Sequence, residues 1–600
     1  MREVTGGQWH LSWAAIRQTA DRFFVSRMTL SESGSLMPLM KGRMRHLPAA
    51  LTGLGLGLLA LGPALAPGFT LSYDMVFVPD PAFTRMTFGL TGTLPRHVPS
   101  DAFVAALGVL LPGSLAQKLI LLAIFVMACA SAASLVPSTR QAPRLAAGVC
   151  YAWNPFVAER LLLGQWALLL GYAALPWVVH RAARGEWRWL ILALVPAAIG
   201  GFAALTVSGL TALIVVGVTR RGERVTALGR TVAALVMLGS PWLVTGWLRP
   251  SGIPADGAAV EAFAARADTP FGVVGSLLAL GGVWNGETVP LGYGTPVMAT
   301  AWLLVVLAAL TAYGMWGRTE PWGVALGVAG AVGLVVGALG AVAPGLLRGL
   351  IGLWSGFAVL RDGQQYAAPL AVTVAVGLGL LVDRMLDRLP VFAAVCVALM
   401  PVAFLPSLAW GAGGQLKAVA YPDDWARAKR IIEADGAPGD VVVLPWAAYR
   451  SYPWNHGRRV LDPLPRYLHR RVIFNDAVTV GATTVPTEDP RARRLGPVID
   501  AGGPLTAALR AEGVRYVAVD AGIDAFDARR LLPGAEPALR GDDLLLFRIP
   551  GAKRVDDPGP PIVAGYASWI VMLSGIVWSL SVTGITLVPR SPLLRRGKAP

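Results

Sequence analysis

Charge and cysteine are scarce in this sequence. Only 15% of its 600 residues are charged, three are cysteine and 54% are hydrophobic, which excludes an ordinary soluble enzyme and points to an integral membrane protein with some soluble mass. Cys129, Cys150 and Cys396 all fall within apolar runs and read as small packing residues, so no disulfide framework is available to an outward domain. The six histidines (His10, His46, His97, His180, His456 and His469) are scattered, with neither HExxH nor CxxC, which leaves a zinc site without support. No glycine-rich phosphate loop and no nucleotide-binding domain stands out, which argues against an ATP-driven transporter. The 69 glycines lie largely in or beside apolar runs, where small residues let helices approach closely.

A formal net charge of +16 would suit nucleic acid, but the positions of the charges do not. Basic clusters sit in short loops between apolar runs: Arg140 to Arg144, His180 to Arg188, Thr219 to Arg224, and Arg590 to Lys598. This is the positive-inside pattern of a membrane protein, with contact to cytoplasmic-leaflet lipids as its partner and no nucleic acid.

Apolar runs of roughly spanning length occur near residues 47–69, 115–136, 144–158, 161–180, 189–218, 229–248, 296–316, 322–343, 366–384, 389–410 and 562–588. The run 189–218 is basic at both ends, so a single span cannot place both inside, and Gly200-Gly201 at its middle supplies a break. The expectation is a polytopic α-helical protein of about 12 spans, in the plasma (inner) membrane with both termini cytoplasmic. A basic cytoplasmic arm (1–46) precedes the membrane domain (47–410). A last span (562–588) leads to a basic tail (589–600). Segment 411–561 differs in composition: its charge density rises, and helix signals (Asp424 to Ala434, Pro504 to Glu512, Asp524 to Leu532) alternate with strand signals (Asp440 to Leu444, Arg471 to Phe474, Val514 to Val519, Leu544 to Ile549). That alternation predicts a small extracytoplasmic α/β domain.

The candidate chemistry lies at outward positions. Leu71-Ser-Tyr-Asp74-Met-Val-Phe-Val-Pro79-Asp80-Pro81 follows the first span. A carboxylate there can act as general base toward an acceptor hydroxyl, or hold a divalent cation beside a departing phosphate. Asp74 is the preferred base and Asp80 its competitor, whereas Asp101, with Ser100, reads as a helix N-cap. Tyr151-Ala-Trp153-Asn154-Pro155 breaks a helix and leads to Glu159-Arg160, which either pair or leave Arg160 at a lipid-phosphate rim. Arg361 and Tyr366, just before a span, suit a phosphate head group, with an Arg361–Asp362 pair as the alternative. In the soluble segment, Trp446, Tyr449, Arg450, Trp454, Asn455, His456 and Arg458 form an aromatic and polar stretch fit for carbohydrate or for ordinary loop packing.

The order of these features resembles the GT-C class of membrane glycosyltransferases, in particular the YfhO-like and actinobacterial arabinofuranosyltransferase-like branches. The resemblance rests on the acid-bearing first loop (Asp74, Asp80), the Asn154-Pro155 turn, the stretch from Gly171-Tyr172 to Leu175-Pro176-Trp177, and Arg361 with Tyr366. The chain departs from the class in lacking an adjacent acidic pair in the first loop. The resemblance implies an inverting transfer of a sugar from a polyprenyl-phosphate donor to a cell-envelope glycan or lipid acceptor. Asp74 would be the base, Arg160 or Arg361 the phosphate holder, and the soluble domain the acceptor module. A lipid or polymer transporter and a non-catalytic envelope-assembly protein are the rival readings. Few ionisable residues fall inside the spans, which weighs against transport.

Overall fold

The computed structural model describes residues 46–250, 258–481, 483–520, 525–556 and 558–585. Apart from His46, the expected basic arm and basic tail lie outside the described residues. From Leu47 onward the chain forms one compact unit.

Among the described residues, eight helices are long and apolar enough to cross a membrane, beginning with Leu47–Leu65 and ending with Ile562–Ser581; the bent pair Val391–Phe404 and Pro406–Gly414 makes a ninth if taken as one span. The chain is thus a multi-pass membrane protein. The expected count of about 12 is not reached, because several apolar runs are built as shorter pieces. Run 144–158 falls across two helices, Gln141–Ala152 and Pro155–Leu162. The second is started by its own residues: Asn154 Oδ1 accepts from the Val157 N–H at 3.1 Å, and Pro155 occupies the first turn. Run 189–218 breaks at the glycine pair, as expected, into Trp187–Ile199 and Gly201–Thr219, with Gly201 at φ +79°. The span Gly363–Met385 is 94% buried, against at most 56% for the other seven, so it is the centre of the bundle.

The strands are β1 (Phe69–Thr70), β2 (Ala418–Val419), β3 (Asp440–Leu444), β4 (Tyr449–Ser451), β5 (Arg459–Leu461), β6 (Val472–Ile473), β7 (Val478–Val480), β8 (Thr483–Val485), β9 (Val514–Asp520), β10 (Glu536–Arg540) and β11 (Leu544–Arg548). Five of them form a mixed sheet in the order β10-β11-β9-β3-β6. Its centre, β3 beside β9, is parallel and almost wholly apolar, and the helices Asp423–Ala434, Pro490–Asp500 and Thr506–Ala511 accompany it. The segment Glu488-Asp489-Pro-Arg491 starts the second of these helices: Asp489 accepts from the Arg491 N–H at 2.9 Å.

Two small pairings join this α/β region to the loop that follows the first span. β1 pairs antiparallel with β2. Tyr73 forms a bridge with Val460 in β5, through Tyr73 N–H to the Arg459 carbonyl (2.7 Å) and Leu461 N–H to the Tyr73 carbonyl (2.8 Å). The acid-bearing loop therefore docks on the β4–β5 hairpin through a one-residue parallel bridge.

Candidate functional site

The first loop is fixed from two sides around Asp74. From the membrane side, the Asp74 N–H donates to the Leu163 carbonyl (3.1 Å) and Ser72 Oγ donates to the Leu162 carbonyl (2.5 Å), just beyond the Pro155–Leu162 helix. Gly164, at φ +77°, makes that approach feasible, since a Cβ there would collide with the backbone of Ser72 and Met75. From the α/β side, Arg458 donates to Ser72 Oγ (2.7 Å), to Gln415 (3.1 Å) and to the Leu162 carbonyl (3.1 Å). Tyr73 adopts φ +45°, a left-handed conformation uncommon for a tyrosine, and its hydroxyl donates to Glu287. That conformation turns the two neighbouring side chains apart, Tyr73 toward Glu287 and Asp74 toward Tyr449.

Tyr449 Oη donates to Asp74 Oδ1 at 2.6 Å. Asp74 lies deep in the protein yet keeps part of its surface accessible. Burial pushes its carboxyl above the usual range. The Tyr449 hydrogen bond pulls it back, Asp362 pushes it up again, and Arg466 and Arg96 pull it down. A carboxylate with a raised pKa is a better proton acceptor than one on the surface.

Asp362 carries the second acid of this centre. It accepts from Gln364, and burial raises its pKa against the charge of Arg160, a hydrogen bond from Gln165 and the charge of Arg361. Asp362 feels both Arg361, its partner in the pair considered from the sequence, and Arg160. Arg361 donates to the Ala358 carbonyl at 3.1 Å. Arg160 is 1% exposed, lies over the Phe156 ring at 4.9 Å, and its Nε and Nη1 find no hydrogen-bond partner among the described residues. The Glu159–Arg160 pair is not an ion pair in the structure. Glu159 faces Asp268 and Tyr293 around Gly281, and burial beside Asp268 pushes its carboxyl well up. Tyr366, buried at the start of the central span, donates to Thr206 Oγ1 at 3.3 Å.

The other candidates are used differently. Asp80 is exposed on a surface ion cluster, 2.7 Å from Lys429 and 3.5 Å from His469. Hydrogen bonding to Lys429 holds its carboxyl below the usual range. An open cleft of about 390 Å³ flanks Asp80, Phe83, Val109 and His469, on the opposite end of the loop from Asp74. Asp101 is a correction. The Ser100–Gly108 helix has no side-chain cap, and Asp101 instead accepts from Arg466 Nε at 3.0 and 3.2 Å, because the α/β region brings a guanidinium to it. Trp454 packs among Tyr421, Trp425 and Tyr452, stacking on Tyr452 at 4.8 Å. Trp446 is half-buried after β3, its carbonyl accepting from Asn475 at 3.1 Å. No group of three or more metal-ligating side chains occurs among the described residues.

No protein-family model matches the sequence, and no curated protein matches it. Among solved structures, the chain is similar to the arabinofuranosyltransferase AftD from Mycobacteria, with a TM-score of 0.54 and 17% identity over 86% of this chain and 40% of AftD. It spans well under half the length of that relative. Looser likenesses are to the Archaeoglobus fulgidus oligosaccharyltransferase (TM-score 0.42, 13% identity, 81% of this chain and 70% of that one) and to ArnT from Cupriavidus metallidurans (TM-score 0.34, 13% identity, 86% and 100%). The chain shares its fold with AftD over most of its length.

Proposed function

On a fold shared with a membrane arabinofuranosyltransferase, we propose that this chain is a membrane glycosyltransferase of the cell envelope. It moves a sugar from a polyprenyl-phosphate donor to a glycan or lipid acceptor at the outer face, with inversion. Asp74 takes the proton of the acceptor hydroxyl. The hydroxyl oxygen forms the new bond to the anomeric carbon as the bond to the donor phosphate oxygen breaks, and the phosphate leaves toward Arg160 and Arg361. Tyr366 supports the wall of that pocket, and Trp446 marks the acceptor side.

The observation that carries this reading is Arg160. A buried guanidinium with two unpartnered nitrogens, within electrostatic reach of Asp362, is a poor structural element but a ready anion holder. A phosphate would supply the missing acceptors. Membranes carrying the protein should extend an acceptor glycan from labelled polyprenyl-phosphate sugars. Arg160→Gln should raise the donor KM by roughly 10–100-fold, the worth of hydrogen bonds to a charged group. Lipid movement across the bilayer without glycan extension would sink the transferase reading in favour of transport.

A further inference from the structure

We propose that the α/β domain is part of the catalytic centre itself, through Tyr449, which holds Oδ1 of Asp74 and leaves Oδ2 as the proton acceptor. The inference rests on Asp74 as the base and adds a positioning residue from a distant part of the chain.

Three sets of contacts carry it. The Tyr449 hydroxyl reaches Asp74 Oδ1 at 2.6 Å, a distance suited to a charge-assisted hydrogen bond. The strand holding Tyr449 is paired with β5, which pairs in turn with the backbone of Tyr73, the residue preceding the acid. Behind the hairpin, Arg450 Nε donates to Asp462 at 2.9 Å and Arg450 Nη2 to the Pro445 carbonyl at 2.6 Å, both within the interior. Tyr449 thus stands on a rigid element that also grips the loop of its partner, so the distance between the two is set by backbone pairing.

The charged and titratable groups facing Asp74 come from every side of it: Tyr449 and Arg466 from the α/β domain, Arg96 from the first loop, and Asp362 from the start of the central span. Among the described residues, Tyr449 donates a direct hydrogen bond to the carboxylate. Loss of its hydroxyl removes stabilisation of the ionised form, so a higher pH is needed to ionise the base.

The test is the pH dependence of transfer by full-length protein in membranes, using a labelled polyprenyl-phosphate sugar. Tyr449→Phe keeps the ring packed against Tyr73 (centroids 6.1 Å apart) and removes only the hydroxyl. The expected result is an acidic limb of kcat/KM displaced to higher pH by about one unit, with the donor KM on the plateau unchanged. Tyr421→Phe is the control: it removes another hydrogen bond between the α/β domain and the loop, to the Phe77 carbonyl at 2.9 Å, without touching Asp74. It should leave the limb in place. A Tyr449→Phe profile that overlays the wild type, or a limb displaced equally in Tyr421→Phe, overturns the assignment. Transfer that survives in Asp74→Asn overturns the underlying choice of base instead, which keeps the two failures apart.

Discussion

Asp74 and Asp80 leave the membrane on the same short loop, yet one is drawn inward and the other stays on the surface. Asp74 is held by Tyr449 and by backbone bonds on both sides, in the field of Asp362, Arg466 and Arg96. Asp80 sits on Lys429 and His469, with its side chain 69% exposed. The surroundings push the two carboxyls in opposite directions, Asp74 up by burial and Asp80 down by its lysine. Proximity to the membrane exit does not make an acid a base. Burial beside groups that leave one oxygen free does.

The largest expected effect tests that contrast directly. Asp74→Asn should lower kcat by roughly 10²–10⁴-fold, the usual worth of a general base, while Asp80→Asn stays within about twofold of wild type, as expected for a surface ion pair. Initial rates in isolated membranes read both. Because Asp74 acts only when ionised, wild-type activity should fall as pH drops through its pKa, and that limb should lie above the ordinary aspartate range. Equal losses in the two variants, or a limb at the ordinary aspartate value, would remove the distinction.

A second effect falls on stability. The Arg450–Asp462 pair that backs the β4–β5 hairpin is nearly inaccessible, 3% and 0% exposed. Asp462→Ala removes the near partner of a buried guanidinium and leaves it Asp520 at 3.9 Å and the Pro445 carbonyl, so the loss should approach but not exceed the about 3–5 kcal/mol of a fully broken buried pair. The α/β region should then melt at markedly lower temperature, and transfer should fall with it. If melting is unchanged, the hairpin is not the rigid platform on which Asp74 is held.

A third carboxyl extends the comparison, because it is buried with too little positive charge. Asp476 accepts from Thr487 Oγ1 and from the Glu488 N–H at 3.0 Å; burial, with Glu488 and Asp489 nearby, raises its pKa to about 7. A carboxyl raised in the folded state binds its proton more tightly there than in the unfolded chain. Its stabilising contribution is complete below the unfolded value of about 3.9 and is lost as pH rises through about 7. Asp476→Asn keeps an acceptor oxygen without the charge. It should therefore melt higher than wild type at pH near 8 and no higher at pH near 4, by an amount on the order of a few kcal/mol. A melting difference that does not change with pH would mean that Asp476 stays ionised throughout.

Much of the fold can be read locally. The break at Gly200-Gly201, the helix at Asp424 to Ala434 and the strands at Asp440 to Leu444 and Val514 to Val519 follow from glycine and from apolar or amphipathic periodicity over a few residues. Asp74 and Arg160 stand out for the same reason, as charged residues at membrane exits. Their partners do not. Tyr449 is 375 positions from Asp74, and Arg466 is 365 from Asp101. Asp268, which faces Glu159, sits in an ordinary loop with no local pattern around it. Trp454 is an instructive case: aromatic interleaving is equally good chemistry for a sugar platform and for a packed cluster, and its ring contacts with Tyr421, Trp425 and Tyr452 are visible only in the structure. The span count differs from the expected one because hydropathy registers apolar length, whereas Asn154-Pro155 and Gly200-Gly201 divide apolar length into pieces.

The smallest effect concerns the stability that Asp80 contributes. Its depressed pKa means that its pairing with Lys429 is complete above the unfolded value of about 3.9 and is lost as pH falls through the lower folded value. With most of the side chain in solvent, water and salt screen the pair, so Asp80→Asn should cost less than about 1 kcal/mol at neutral pH and nothing at pH near 2. The difference should also shrink in high salt, since the separation of exposed charges is comparable to the screening length there. Thermal melting of the two proteins at low and high salt measures it. A large, salt-insensitive loss would mean that the Asp80–Lys429 contact clamps the first loop to the α/β region as firmly as the backbone bonds around Tyr73 do. The two ends of the loop would then differ in chemistry alone and not in how they are held.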